Sequence, residues 1–495
     1  MHILSLDEGT TSARAMVFNH RAETEALQSA PIRCHYPQPG WVEQDPEQIW
    51  QAQLEAARGA LAQSGVRPKD VAGIGITNQR ETTIVWDRGT GAPVAPAIVW
   101  QCRRTADFCR ALGDDGHAGK IAAHTGLVLD AYFSASKIRW ILDHTPDGQK
   151  RAAAGELAFG TVDSWLIHKL TGGRVHVIDR SNASRTMLLN LNGTWDPEML
   201  DVFGTPRPML PQVVGSAEIV GLTDPSLLGA EIPIAGIAGD QQAALVGQAC
   251  FRAGLSKNTY GTGCFFLMHT GERPVPSRNR LVTTVAASPG RQMEYALEGS
   301  VFVAGAAVQW LRDSLGIIKT ASETAALAAT VPDTAGVYFV PAFVGLGAPH
   351  WNAAARGSIS GLTRAASAAH LVRATLEAIA YQTRELVEAM EADAGVRLSE
   401  LRADGGAAAN DFLMQFQADL LGRPLVRPAN IETTALGAAF LAGLATKVWS
   451  GLEEIEGFWR ADRRFEPKLD PARREELFAG WKRAVAACCR IDAAL

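Results

Sequence analysis

His2-Ile3-Leu4-Ser5-Leu6-Asp7-Glu8-Gly9-Thr10-Thr11-Ser12, continued by Ala13-Arg14-Ala15-Met16-Val17-Phe18, is the stretch whose reading decides the fold. An apolar strand runs into Asp7, a glycine-threonine turn follows, and a second apolar run returns from Arg14 to Phe18. That is the pattern of a β-hairpin rather than of a strand feeding a helix. After Gly254 the pattern restarts, with Asn258-Thr259-Tyr260, the turn Gly261-Thr262-Gly263, and Cys264-Phe265-Phe266-Leu267-Met268. The two halves therefore read as diverged copies of one plan. A length of 495 residues agrees, because a single core stops growing at about 250–300 residues. We expect an α/β protein with two domains, 1–250 and 251–495, divided near residues 247–255. No low-complexity linker marks the division, so close packing about a central cleft is expected.

The elements between the hairpins have ordinary signatures. Asp45-Pro46-Glu47 starts a helix, with a capping carboxylate and proline at the first helical position. Ile49, Trp50, Leu54, Ala57 and Leu61 follow at helical spacing, and Gly65 ends it. Val71 to Thr77 is a short strand leading into Asn78-Gln79-Arg80-Glu81-Thr82. Ile232 to Ile237 is another, leading through Gly239-Asp240-Gln241-Gln242 into a helix over Ala243–Ala249. The second half adds a long helix (Val372, Leu376, Ile379, Thr383, Leu386, Met390) and a strand running into Asp404-Gly405-Gly406. A helix from Asp411 to Leu421 stops at Gly422, and a last one runs from Asp470 to Cys489.

Composition excludes several classes. A net charge of −5 on this length gives no global field for nucleic acid or an anionic membrane. No apolar run approaches the ~20 residues of a membrane span. The seven cysteines are odd in number and lack metal-ligand spacing, which reads as free thiols in a reducing compartment. Asp7 and Glu8 come too early for a signal-peptide apolar region, so a cytoplasmic location is expected. There is no P-loop, no protein-kinase glycine loop and no H-E-x-x-H.

Four segments could carry chemistry, and each has a plainer reading. Gly9-Thr10-Thr11-Ser12 with Arg14 could cradle phosphates, and Asp7 at the strand end could serve Mg²⁺; hairpin turns also favour such residues. Asp240 lies near a helix N-terminus, where the dipole favours the ionised form of a proton acceptor, although a simple N-cap is the commoner role. Arg80-Glu81 supplies a donor fork and an acceptor suited to adjacent hydroxyls, or is a solvated surface pair. Trp86 and Trp100 nearby read equally as core or as the wall of a pocket. Asp404-Gly405-Gly406-Ala407-Ala408-Ala409-Asn410 would let a nucleoside approach closely, or is a strand-to-helix turn; Gly261-Thr262-Gly263 and Gly305 share that ambiguity.

Taken together, these segments resemble the sugar and polyol kinases that share the actin and hexokinase ATPase fold, and within them the glycerol kinases. The resemblance runs from about Ile3 to the final helix. Its most specific stretches are Pro39-Gly40-Trp41-Val42-Glu43, Gly75 to Thr82, and Ile98-Val99-Trp100-Gln101-Cys102-Arg103-Arg104-Thr105. Gly239-Asp240-Gln241-Gln242, Tyr260 to Phe265, and Gly345-Leu346-Gly347-Ala348-Pro349 add to these.

The resemblance implies two ribonuclease H-like domains, each a mixed sheet with flanking helices, and transfer of the γ-phosphate of MgATP to glycerol. By it, Asp240 is the general base. Arg80, Glu81, Tyr132, Asp240 and Gln241 bind the acceptor hydroxyls, with Trp100 and Phe265 against the carbon chain. Thr10, Thr11, Ser12 and Arg14 hold phosphates, and Asp7 sits by Mg²⁺. Thr262, Gly305, Gln309, Gly406 and Asn410 line the nucleotide site of the second domain. Relatives of this kind form homodimers or homotetramers. The chain departs from the family pattern at Glu8, where glutamine is usual, and at Ala131, where proline is usual before Tyr132. Alternation should point Glu8 away from the face of Asp7, and Ala131 is expected to loosen its loop. The alternatives are a kinase of dihydroxyacetone, erythritol or a pentulose, and a non-catalytic actin-like nucleotide-binding scaffold.

Overall fold

The computed structural model describes residues 1–290, 292–352 and 354–491. Two mixed sheets organise it. The first has six strands in the order Ala217–Leu222, Pro233–Gly239, Val71–Asn78, His2–Glu8, Ser12–Asn19, Thr24–Pro31. The expected hairpin is there, with Asp7 opposite Arg14. Val71–Asn78 joins it in parallel, and Pro233–Gly239 lies parallel beyond that.

The second sheet has seven strands: Val282–Val285, Tyr295–Val301, Cys264–Gly271, Ser256–Tyr260, Leu401–Asp404, Leu425–Pro428, Ala461–Phe465. Its hairpin Ser256–Tyr260/Cys264–Gly271 is antiparallel, and Leu401–Asp404 and Leu425–Pro428 again add in parallel. The order of a hairpin followed by two parallel strands is thus repeated, as the paired turns suggested. All strands of the first sheet precede residue 240, and all of the second follow residue 255.

Local chemistry sets the helix ends. Asp45 accepts from the Glu47 amide at 2.9 Å, Pro46 opens the helix Pro46–Ser64, and Gly65 closes it at φ 69°. The helix after Pro233–Gly239 differs from expectation: it spans Asp240–Gly247, starting earlier and stopping sooner than Ala243–Ala249. Gly239 is its extended N-cap, so Asp240 occupies the first turn instead of capping it.

Its early stop is local: Ala249 turns left-handed at φ 51°, its amide donates to the Val246 carbonyl at 2.8 Å and that of Cys250 to Leu245 at 3.0 Å, closing the last turn. The helix Thr433–Ala445, although drawn from the second half of the chain, lies against the strands and the helix of the first. A Cβ on Gly75 would stand 2.2 Å from the carbonyl oxygen of Ala438. A Cβ on Gly247 would lie 1.9 Å from the Thr433 carbonyl oxygen, and one on Gly437 1.8 Å from that of Ala243. The two helices therefore run antiparallel with backbones in contact, which only glycine permits. This predicts that Gly437→Ala overpacks the crossing and costs about 1–3 kcal/mol or more. A urea midpoint unchanged from wild type would contradict the crossing.

Candidate active site

Arg80 and Glu81 leave the end of Val71–Asn78 and turn inward. Neither is a surface residue: they are 3% and 1% exposed. Glu81 takes a left-handed backbone at φ 61°, a conformation costly for a side chain of its kind and found where surrounding contacts over-determine it. Those contacts are ionic. Arg80 Nη1 and Nη2 donate to Glu298 at 2.5 and 2.9 Å, and Nη1 also donates to the side-chain oxygen of Gln242 at 3.1 Å. Its Nε lies 3.2 Å from Asp240 and 3.8 Å from Glu81. Arg185 donates to Glu81 at 2.6 Å and to Glu298 at 3.0 Å. Burial opposes the charge of Glu298, but Arg185 and Arg80 outweigh it and hold its carboxyl down at about 2.

Asp240 is the member of this group that opens outward, 32% exposed at its side chain. It accepts from the Gln241 amide at 2.7 Å. Gln241 in turn is held by Lys257 of the second sheet, whose Nζ donates to the Gln241 side-chain oxygen and, at 2.9 Å, to the Thr259 hydroxyl. Tyr132 stands edge-on to Trp100, ring centroids 5.7 Å apart, with the Arg185 guanidinium 5.8 Å away. Its loop is pinned despite Ala131, since Asp130 accepts from the Tyr132 amide at 2.8 Å and buried Lys137 donates to the Tyr132 and Phe133 carbonyls. Trp86, by contrast, is core, packed on Trp165, His168 and His176. Phe265 is half-buried on the second sheet, two residues from Leu267 and so on the same face.

The phosphate turn lies beside this group. The Gly9 amide donates to the Ser12 carbonyl at 3.0 Å, and Thr10, Thr11, Ser12 and Arg14 remain partly or wholly accessible. Trp100 reaches it: its indole N–H donates to the Thr10 hydroxyl at 2.9 Å, a bond that reading Trp100 only as an apolar wall did not anticipate. Asp7 pairs with Arg14, which also donates to Glu432 at 2.6 Å. Burial raises the pKa of Asp7, Arg14 pulls it back, and the negative charge of Asp240 raises it further. Mg²⁺ prefers one or two carboxylates, with phosphates and water completing its shell. Asp7 and Asp240, close enough to feel each other's charge beside the turn, fit that donor set.

Glu8 points the other way, as alternation requires. It is fully buried, with Gln79 as donor at 3.2 and 3.3 Å and, among the described residues, no cation as a hydrogen-bond or ion-pair partner. Burial raises its pKa well above the ordinary 4.5.

On the second half, Thr262, Gly305, Gln309, Gly406 and Asn410 all line one cavity of about 430 Å³. Val308, Leu376 and Ile379 give it an apolar side. Asn410 combines both roles weighed for it: it caps the helix Asp411–Leu421 by accepting from the Leu413 amide at 3.0 Å, and it lines the cavity while donating to Thr324 at 3.0 Å. Sequence reasoning missed Arg185, Gln242, Lys257 and Glu298. The available signal was a charged residue inside an otherwise apolar strand, as in Tyr295-Ala296-Leu297-Glu298.

An accessible glycine-threonine turn beside an arginine, a carboxylate at a helix start and a nucleoside-sized cavity on the facing half are the parts of an ATP-dependent kinase of the two-sheet type. Residues 2–247 match the N-terminal domain, and residues 256–446 the C-terminal domain, of the FGGY family of carbohydrate kinases. The chain belongs to that family. Within it the similarity is to glycerol kinases. That of Caldanaerobacter subterraneus subsp. tengcongensis is 57% identical over 98% of both chains, and that of Burkholderia cenocepacia 58% identical over 98% of this chain and 97% of its own. The crystal structure of Plasmodium falciparum glycerol kinase with ADP superposes with a TM-score of 0.93 at 36% identity, covering 98% of each chain.

The environment of Glu8 makes a pH prediction. A carboxyl whose folded pKa is raised contributes stability that is present below its unfolded pKa and lost as pH rises through the folded value. Glu8→Gln removes that dependence. As pH rises above the ordinary glutamate range, the melting temperature of the variant should therefore gain on that of wild type. Parallel curves above that range would show that Glu8 is not held protonated.

Proposed function

We propose that the chain is a glycerol kinase, transferring the γ-phosphoryl group of MgATP to a terminal hydroxyl of glycerol to give sn-glycerol 3-phosphate and ADP. The observation that carries this is the identity of 57–58% with glycerol kinases over 98% of the chain, joined to an Arg80–Glu81–Asp240 cluster able to hold adjacent hydroxyls. Kinases of other polyols and ketoses share the fold, so the residues around Arg80 and Tyr132 carry the choice of acceptor.

In this reading the acceptor enters between Trp100, Tyr132 and Phe265. Arg80 and Gln241 donate to its hydroxyls, and Glu81 accepts. A carboxylate oxygen of Asp240 takes the proton of the terminal hydroxyl as its oxygen bonds to the γ-phosphorus. The bond from that phosphorus to the β,γ-bridging oxygen breaks, and ADP leaves with the electron pair. Because the transition state of such transfers is loose, the protein's work is mainly positioning and charge neutralisation. Thr10, Thr11, Ser12 and Arg14 supply donors to the phosphates, while Thr262, Gly305, Gln309, Gly406 and Asn410 hold the nucleoside. Mg²⁺ held beside Asp7 neutralises phosphate charge. Sites on facing halves imply closure that excludes water, the competing nucleophile.

Among the described residues no helix is long and apolar enough to cross a membrane. A cytoplasmic homodimer or homotetramer completes the proposal. A non-catalytic scaffold would have no use for a carboxylate placed as Asp240 is.

Two measurements test the reading. MgATP consumption should be strongly stimulated by glycerol, less by dihydroxyacetone, erythritol or xylulose, and should be low without acceptor. Stimulation by another polyol alone would move the error to the pocket, and hydrolysis indifferent to all four would leave only a scaffold. Asp240→Asn should retain MgATP binding by calorimetry while turnover falls by roughly 10²–10⁴-fold; turnover within a few-fold of wild type would remove Asp240 as base.

A further inference from the structure

Opposite partners on neighbouring antiparallel strands send their side chains to the same face. In the second sheet Lys257 lies opposite Leu267, and Leu267 opposite Glu298. The three form one rung across the strands Ser256–Tyr260, Cys264–Gly271 and Tyr295–Val301. Both charged members reach out of their own half. Glu298 accepts from Arg80 Nη1 and Nη2 and from Arg185, while Lys257 donates to Gln241. Lys257 is fully buried and Glu298 is 2% exposed.

We propose that this rung is the positioning wall of the acceptor pocket: Glu298 fixes the guanidinium of Arg80, and Lys257 fixes the amide of Gln241. The inference rests on the acceptor reading above and extends it, because beyond the ring of Phe265 it makes buried charges of the second half orient the donors of the polyol site.

The geometry leaves each fixed group little freedom. Glu298 takes one N–H from each Nη of Arg80, which fixes the plane of the guanidinium, aims its Nε at Asp240 and Glu81, and leaves the second N–H of Nη2 for an acceptor hydroxyl. Through Arg185 the same carboxylate also reaches Glu81 and the ring of Tyr132. Lys257 takes the Gln241 oxygen as acceptor, which leaves the amide nitrogen of Gln241 as its outward donor; that nitrogen is 3.2 Å from Asp240. Arg80, Arg185 and Lys257 face Glu81, Glu298 and Asp240, so charge is balanced within the group. Neither Glu298 nor Lys257 needs to touch the acceptor. Each acts through a residue that does.

A mere bolt between the halves would predict lost stability with unaltered substrate constants. The test is steady-state kinetics of Glu298→Gln and Lys257→Met, with thermal melting alongside. We expect the glycerol KM to rise roughly tenfold or more in each, as befits a lost charged hydrogen bond, with the ATP KM within about twofold. In an Arg80→Ala background, Glu298→Gln should add little to the glycerol KM, because the two act as one unit. Lys257→Arg, which keeps charge and donors, should recover part of the loss. A lowered melting temperature with glycerol KM unchanged in both variants would overturn the proposal. If Glu298→Gln fails to fold, Lys257→Met decides alone, and an unchanged glycerol KM there overturns it equally. Wild type that uses glycerol while the variants match it would sink the rung only; wild type indifferent to glycerol would sink the acceptor reading itself.

Discussion

The backbone contact at Gly247 and Gly437 is the constraint on which the rest depends. Two helices from opposite halves of the chain meet there without side chains between them, so the distance between the sheets is set by main-chain atoms. Everything chemical is referred to that contact. Asp240 begins one of the helices, and the Glu432–Arg14 pair ties the start of the other to the phosphate turn. Asp404, accepting from both Gln248 and Thr433 at 2.7 Å, fixes the second sheet to the same crossing. A softer joint, made of long side chains, would let Asp240 and the Gly9–Ser12 turn drift relative to each other.

Beside this apolar joint lies a polar one. Burying charges costs several kcal/mol for each unless partners replace water, and five of this group are buried; a well-packed apolar cluster is often at least as stable. The arrangement of Arg80, Arg185, Lys257, Glu81, Glu298 and Asp240 is therefore better understood as orientation than as stability. Arg80 faces three carboxylates and Arg185 two, and each carboxylate is aimed by a guanidinium. Only Asp240 keeps substantial exposure, which separates the group proposed to exchange a proton from those that hold it in place.

Much of this was legible in the sequence, for reasons that can be named. The hairpins announced themselves because turn chemistry is local: Gly9-Thr10-Thr11 and Gly261-Thr262-Gly263 each sit between apolar runs. The helix Pro46–Ser64 was readable from its cap, its proline and its closing glycine. Arg80, Glu81 and Asp240 were visible as motif residues, and the five nucleotide-side positions fall on one cavity. The partners were not visible. Glu298 lies 218 positions from Arg80, and nothing local tells a buried charge in a strand from an outward-facing one. The crossing at Gly437 was equally hidden, since a glycine in an alanine-rich helix looks like a weakness until the second backbone is present. The helix at Asp240 was misplaced for another reason: an apolar, alanine-rich run pointed to Ala243–Ala249, whereas Ala249 takes a left-handed backbone that closes the helix at Gly247.

The bond from Trp100 to Thr10 gives the enzyme a thermodynamic property. The Thr10 hydroxyl accepts the indole proton and still has its own proton to give, so a phosphate oxygen placed beside it would extend a chain of donors running from the acceptor wall into the nucleotide. Bonds in such a chain polarise one another. Whatever nucleotide does to steady the indole against Tyr132, the acceptor must return in equal measure to the nucleotide, because coupling between two binding equilibria is reciprocal. In the proposed reading, one hydroxyl shared between the two sites couples them, and each substrate changes the other's affinity by the same factor.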